Sequence, residues 1–349
     1  MNRAMICAAL MALSTAPTWA QDACPNRGEL DTLYCDANKD LVADAPTDPK
    51  KWRDPSTLVW AYTPVEDPAV YANIFKPFTE HLEKCTGKRT VYYPVQSNAA
   101  EIEAMRSGRL HFAGFSTGPT GFAVNLAGAV PFAAKGLGEE VRGYNLLAIV
   151  KASSPYQKLT DLKGKKVAHT SPSSNSGNLA PRVLFPDEGL TTDADYKPLM
   201  SGGHDKSILG VVSGDYDMAA VASDVYDRMI TRGTIKKDDT RIIYRSPVFP
   251  TSSFAYAHDL KPELAKKLTE CFYAFRFPPA MTKEFNGDDR FLPITYLKEW
   301  KVVREVAEKS GTPYNKSAYD AENRREAEAA AKKAAEAAAK AGQPAAPKP

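Results

Sequence analysis

Three short segments carry the residues best suited to chemistry. They are Phe115-Ser116-Thr117-Gly118-Pro119, His169-Thr170-Ser171-Pro172-Ser173-Ser174-Asn175-Ser176-Gly177 and Ser201-Gly202-Gly203-His204-Asp205. Each is crowded with hydroxyl, amide or glycine residues, and each precedes a stretch with helical patterning. The first turn of a helix presents unpaired N–H groups and the positive end of its dipole. Ser, Thr and Asn add donors, and Gly lets backbone come close. Together these features make an anion site that needs no Lys or Arg. Any one of these loops could equally be an ordinary cap or turn. Three of them, spread over two regions of alternating strands and helices, favour a shared anion site.

Two further side chains join this set. His204 lies just before a helix and could donate to an oxyanion, or it could be a structural histidine. Asp224, in Ala222-Ser223-Asp224-Val225, follows an apolar strand. A carboxylate there repels a fully ionised anion. It suits a guest that keeps an O–H or carries an amine, because Asp accepts such a bond; the plainer alternative is a helix N-cap. No catalytic constellation is visible: the sequence has no GxSxG elbow, HExxH or P-loop. No CxxC pair or His cluster suggests a metal, and no cofactor is expected.

The elements that position these loops alternate along the chain. Leu58–Tyr62 reads as a strand, and 69–84 as a helix that Pro77 should kink or split. Thr90–Val95 is a strand, 99–107 a helix and Leu110–Phe115 a third strand. This alternation predicts a parallel α/β sheet. The pattern restarts with strands at Tyr144–Val150, Lys165–His169, Met218–Val221 and Arg241–Tyr244, with helices at 159–162, 177–186 and 206–213. Two α/β lobes follow, one from 57–147 plus 246–316 and the other from 148–245, with a ligand cleft between them. Residues 21–56 are polar and irregular and are expected on the surface. Residues 317–349 are rich in Ala, Lys and Glu and predict a solvated helix acting as a spacer.

The ends set the address. Arg3, the apolar run Met5–Leu13 and Ala16-Pro17-Thr18-Trp19-Ala20 read as a secretory signal, 1–20, cut after Ala20. No segment reaches the roughly 18 apolar residues of a membrane span. Of five cysteines, Cys7 leaves with the signal. The remaining four allow three pairings. Joining Cys24 to Cys35 closes a short loop and leaves Cys85 for Cys271; free buried thiols are the alternative. With 45 Lys+Arg against 42 Asp+Glu, the net charge of +3 is too mild for a nucleic-acid partner. A hydrophobic content of 43% in 349 residues supports a sizeable core.

At these loops the sequence resembles the periplasmic substrate-binding proteins of phosphonate and phosphite ABC transporters, over roughly residues 57–300. Ser174-Asn175-Ser176-Gly177 is similar to the Ser-Thr-Ser-Gly loop of that family. Gly203-His204 before a helix, Gly214-Asp215-Tyr216-Asp217-Met218-Ala219 and Gly143-Tyr144 also match. The resemblance implies a type II periplasmic binding fold: two α/β lobes with a hinge and an interlobe cleft. It implies a periplasmic location and a small phosphorus oxyanion as ligand. The partner would be an ABC transporter permease in the inner membrane, and the chain is expected to be a monomer. Carried over by position, Ser174, Asn175, Ser176 and His204 would donate to phosphoryl oxygens. Tyr144 would line the pocket; Ser116 and Thr117 join the candidate ligand-binding set from the first hydroxyl-rich loop itself. Asp224 falls where aminoalkylphosphonate binders face the ligand amine. A second acidic position falls near Ser252, and a pocket tyrosine is Asn98 here. Both departures favour phosphite, methylphosphonate or phosphate over an amine-bearing ligand. A secreted enzyme using His204 and a serine, or a ligand sensor working through its tail, are the competing readings.

Overall fold

The computed structural model describes residues 24–341; the expected signal 1–20 lies outside the described residues. Along the chain run β1 (Thr57–Tyr62), α1 (Pro68–Ile74), α2 (Lys76–Thr86), β2 (Arg89–Tyr92), α3 (Asn98–Arg106), β3 (Phe112–Phe115), α4 (Thr117–Ala127) and β4 (Ala129–Gly136). Next come β5 (Gly143–Lys151), β6 (Val167–His169), α5 (Ala180–Leu184), β7 (Pro198–Met200), α6 (His204–Ser213), β8 (Met218–Ala222), α7 (Ser223–Thr231) and β9 (Thr240–Pro250). The chain ends with β10 (Ser253–Ala257), α8 (Pro262–Ala274), α9 (Pro279–Glu284), β11 (Arg290–Pro293), α10 (Tyr296–Glu299), α11 (Lys301–Lys309) and α12 (Lys316–Ala341).

Two sheets result. The six-stranded sheet has the order β11-β4-β10-β3-β1-β2 and the five-stranded sheet β7-β6-β8-β5-β9. Pairing is parallel where strand and helix alternate, as in β1 with β2 and β3, and β6 with β7 and β8. It is antiparallel where the chain returns: β10 lies between β3 and β4, and β5 pairs with β8 and β9. The sheets are therefore mixed rather than wholly parallel. A strand arriving from the other lobe is not bound to the βαβ crossover that forces parallel pairing.

The predicted helix at 69–84 is two helices broken at Phe75. Pro77 sits in the first turn of α2, where a missing N–H is harmless. Residues 21–56 are not merely superficial. Leu30, Tyr34 and Ala43 join the core, and Tyr34 packs edge-on against His258 with ring centroids 4.9 Å apart. Disulfides join Cys24 to Cys35 and Cys85 to Cys271. The spacer expectation for the tail needs a similar correction. Tyr319 and Glu322 in the first turns of α12 are buried, and the Tyr319 ring packs on Phe122 of α4. An aromatic at one helical position is enough to dock a turn that composition reads as solvated.

The first lobe has an aromatic core. Trp60 packs against Phe75, Phe78, Tyr92 and Phe112 at centroid distances of 4.9–5.5 Å. Aromatic clusters of this kind fix strand and helix positions through interlocking shapes. No described helix is long and apolar enough to cross a membrane.

Candidate functional site

The carboxyl ends of β1, β3 and β6 converge on one cavity between the sheets, where parallel α/β strands ordinarily deliver ligand groups. β1 ends at Tyr62, β3 leads into Ser116 and Thr117, and β6 leads into Thr170 and Ser171. Ser116, Thr117, Tyr144, Ser174, Asn175, Ser176, His204 and Asp224 all line this single cavity. Its volume is about 60 Å³. One water needs roughly 10–15 Å³, so the space holds about four to six atoms the size of a water oxygen. No Lys or Arg is among its lining residues.

Local structure explains how the donors are presented. Ser116 caps α4 without spending its side chain on the helix, and its hydroxyl instead accepts from Thr63 Oγ1 at 3.1 Å. Thr117 donates to the Pro250 carbonyl at 2.9 Å. Ser174 Oγ accepts the Gly177 N–H at 3.1 Å, which leaves its O–H free to turn toward the cavity. Asn175 opens a single π-helical turn and donates from Nδ2 to the Tyr144 hydroxyl at 3.2 Å. Burial raises the Tyr144 hydroxyl above its ordinary range, so it stays neutral. Asn175 Oδ1 and Thr170 Oγ1 are buried without a hydrogen-bond partner, although buried polar groups are nearly always satisfied.

His204 is the first residue of α6. Its Nδ1 accepts the Ala222 N–H at 3.1 Å, so the neutral ring carries its proton on Nε2. Burial pushes its pKa down to about 4, and at neutral pH it is an uncharged N–H donor. Asp224 is not a cap: it is the second residue of α7, whose cap is Ala222. Burial pushes its carboxyl up, but the charges of Arg228 and Lys135 outweigh this, and it is held below the usual carboxylate range. Arg228 Nη1 lies 3.2 Å from Asp224 Oδ2. The site therefore combines neutral donors with one ionised acceptor.

The cleft is bridged directly. The His204 N–H donates to the Val65 carbonyl at 3.2 Å, and Asn98 Nδ2 reaches both Ser171 and Ser173 hydroxyls at 3.5 Å. Deeper still, Glu66 after β1 accepts from Arg228 Nη2 at 2.8 Å and from Arg232 Nη1 at 2.5 Å, both on the α7 segment. Arg232 also meets Glu284 of α9 at 2.7 Å.

Sequence reasoning did not select Tyr62, Gln96, Ser97 or Thr251, which also line the cavity. Tyr62 offered one signal, as the last residue of a strand just before a Thr-Pro turn. The others lie in segments without distinctive composition. One ring nitrogen of His204, Nδ1, is committed to the backbone at Ala222, and the other faces no partner among the described hydrogen bonds.

A family model described as "ABC transporter, phosphonate, periplasmic substrate-binding protein" matches residues 60–296. The chain belongs to this family. It is a periplasmic substrate-binding protein of the phosphonate ABC transporter class. A curated relative, the phosphate-import protein PhnD of Mycolicibacterium smegmatis, is 29% identical over 71% of this chain and 81% of its own. The phosphonates-binding periplasmic protein of Escherichia coli K12 is 25% identical over 67% of this chain and 74% of its own. Among solved structures, PhnD1 of Prochlorococcus marinus in complex with methylphosphonate aligns with a TM-score of 0.66 and 19% identity, over 74% of this chain and 99% of that one. A binding component of a phosphonate ABC transporter from Pseudomonas aeruginosa aligns at 0.67 and 19% identity, over 81% and 99%. These structures share the fold, a two-lobed type II periplasmic binding protein. As a binding protein of this class, the chain works with an ABC transporter permease.

Proposed function

We propose that this binding protein captures a small tetrahedral phosphorus oxyanion retaining one P–OH, such as phosphite, methylphosphonate or phosphate, and delivers it to its permease. The observation that carries this reading is the pairing of neutral donors with the ionised Asp224 in a cavity of about 60 Å³. Ser116, Ser174, Ser176, His204 Nε2 and the α4 N-terminus donate to the anionic oxygens, while Asp224 accepts from the remaining P–OH. Asn175 and Tyr144 complete the wall. The names of two relatives agree with the size class, one being a phosphate importer and one holding methylphosphonate. Residues 1–20 direct export and are removed after Ala20, and the mature chain acts as a monomer. Hinge closure joins donors from both lobes around the guest, so binding shifts the population toward the closed form.

Calorimetry on residues 21–349 tests the proposal. Phosphite, methylphosphonate or phosphate should bind. Sulfate should be rejected, because at neutral pH it offers no O–H and leaves Asp224 facing a bare anion. Ser174→Ala and Ser176→Ala should each weaken binding by about 10- to 150-fold, the range for a hydrogen bond to a charged group. Sulfate binding as tightly as the phosphorus anions, or parent-like affinity in both serine variants, would overturn the assignment.

A further inference from the structure

An anion site without a basic residue in its wall raises the question of where its counter-charge lies. Lys135, on β4, is 3% exposed. Its ammonium donates to the Tyr62 hydroxyl at 2.8 Å. It sits over three rings, 4.9 Å from the centroid of Phe285, 5.1 Å from Tyr62 and 5.8 Å from Phe254. The nearby arginines each touch a carboxylate: Arg142 meets Asp288, Arg228 meets Glu66 and Arg232 meets Glu284. Lys135 touches none among the described residues. Burying an ammonium without a contacting anion is unfavourable, and ring faces return only part of the lost hydration.

The surroundings point this charge at the ligand cavity. Tyr62 lines that cavity, and its hydroxyl lies 3.2 Å from Ser252 Oγ, another lining group. With a lone pair of its oxygen engaged by Lys135, the Tyr62 hydroxyl is free to donate its own proton forward, to Ser252 or to a guest. Lys135 itself opens on a neighbouring chamber of about 300 Å³ that shares Tyr144, Asp224 and Thr251 with the ligand cavity. The field of the ammonium is felt by the carboxyls of Asp224 and Asp288.

We propose that Lys135 is the counter-charge of the bound anion, a positioning residue that acts on the guest through the Tyr62 hydroxyl and across a low-dielectric wall. This rests on the anion reading given above. It explains how a pocket of neutral dipoles discriminates in favour of negative charge: the cation is displaced one residue behind the wall, where it attracts the anion without offering it a direct ion pair. Before the guest arrives the ammonium has carboxylates only at a distance, Asp224 and Asp288, and none in direct contact among the described residues. The guest adds to that negative charge, so part of the energy lost in burying Lys135 returns as affinity.

The test compares Lys135→Met with the parent, using phosphite, methylphosphonate and inorganic phosphate as probes in calorimetry, and the melting temperature of each ligand-free protein. The expected result is anion binding weakened by roughly tenfold or more, with the ligand-free variant melting at or above the parent temperature. A lysine that merely holds the fold gives the opposite signature, a lower ligand-free melting temperature. Unchanged affinity, or a ligand-free protein that melts lower, overturns the proposal. Lys135→Gln, which keeps a donor for Tyr62 but no charge, is judged by the same two readouts if the methionine variant does not accumulate. If the parent binds none of the three anions, the reading of the cavity itself fails and takes this proposal with it. If the parent binds and the variants bind equally well, only the role of Lys135 fails.

Discussion

Replacing Glu66 by Gln should weaken ligand binding although Glu66 does not line the cavity. Glu66 lies between β1 and α1, on the six-stranded lobe. Its partners Arg228 and Arg232 belong to the α7 segment of the five-stranded lobe. Oε1 accepts from Arg228 Nε at 2.9 Å and Nη2 at 2.8 Å, and from the Tyr71 hydroxyl at 3.0 Å. Oε2 accepts from Arg232 at 2.5 Å. The side chains of Glu66 and Arg228 are only 3% and 4% exposed. Removing one partner of a buried pair costs about 3–5 kcal/mol. Gln keeps an acceptor oxygen, so about 1.5–3 kcal/mol, the worth of the lost charge-assisted bonds, is the appropriate range. If separation of the lobes exposes both arginines to water, the loss falls on the closed form alone. Apparent affinity then drops by about 10- to 150-fold, at a factor of ten per 1.4 kcal/mol. Calorimetry with the anion the parent binds, alongside small-angle scattering of the free and bound protein, measures both parts. The bound variant should still close at saturating ligand. Parent-like affinity together with an equal fall in melting temperature, with and without ligand, would show that the pair does not separate on opening and refute the reasoning. Acidification offers a second approach. Burial pushes the Glu66 carboxyl up, but Arg228 and Arg232 outweigh it and hold the group below its ordinary 4.5. The latch therefore keeps full strength above pH 4.5 and is lost as pH falls through the depressed value.

Three more outcomes are expected. A Cβ on Gly118 of α4 would land on the backbone of Ser173 and Asn175 across the cleft. Gly118→Ala should thus oppose closure by about 1–3 kcal/mol, the usual penalty for overpacking, and weaken binding about 5- to 150-fold with the ligand-free melting temperature unchanged; parent affinity in calorimetry would contradict this. Glu101 of α3 is fully buried, both its carboxylate oxygens lack partners, and burial raises it well above 4.5. A raised folded pKa gives stability that is present below the unfolded value and lost as pH rises toward the folded one, so between those two values Glu101→Gln should gain on the parent by about 1.4 kcal/mol per pH unit. Urea titrations at several pH values check this, and a pH-independent difference would count against it. Opening the Cys85–Cys271 disulfide, which spans 186 residues between α2 and α8, should destabilise the protein by up to about 5 kcal/mol by the chain-entropy estimate. Ligand affinity should not change, because both cysteines sit in the helical layer of one lobe; a marked change in affinity on substituting both by serine would show that this layer takes part in closure.

Much of the site was legible because its signals are local. A serine-rich turn between an apolar strand and a helical stretch needs only neighbours in sequence to be recognised. Ser116, Thr117, Ser174, Asn175 and Ser176 carry that signature, His204 follows a Ser-Gly-Gly turn before a helix, and all six share one cavity with Tyr144 and Asp224. Pro77 announced a helix boundary because its missing N–H is a property of the residue itself. β4 was harder to see. Ala129-Val-Pro-Phe-Ala-Ala-Lys-Gly136 has neither clean alternation nor a run of β-branched residues, and it becomes a strand because β10 and β11 pair on either side of it.

By itself the sequence determined the alternating α/β elements, the location of the donor loops before helices, and a pocket chemistry of neutral groups with one carboxylate. Only the tertiary structure decided that Glu66 meets Arg228 and Arg232 across 162 and 166 residues of chain, and that Lys135 is buried behind Tyr62. It also decided that Tyr319 docks the tail on α4. The reason is that a loop's donors are set by the bond-to-bond geometry of adjacent residues. A charge meets its partner only when strand register and lobe packing, fixed by the whole core at once, bring distant segments to within a hydrogen bond of each other.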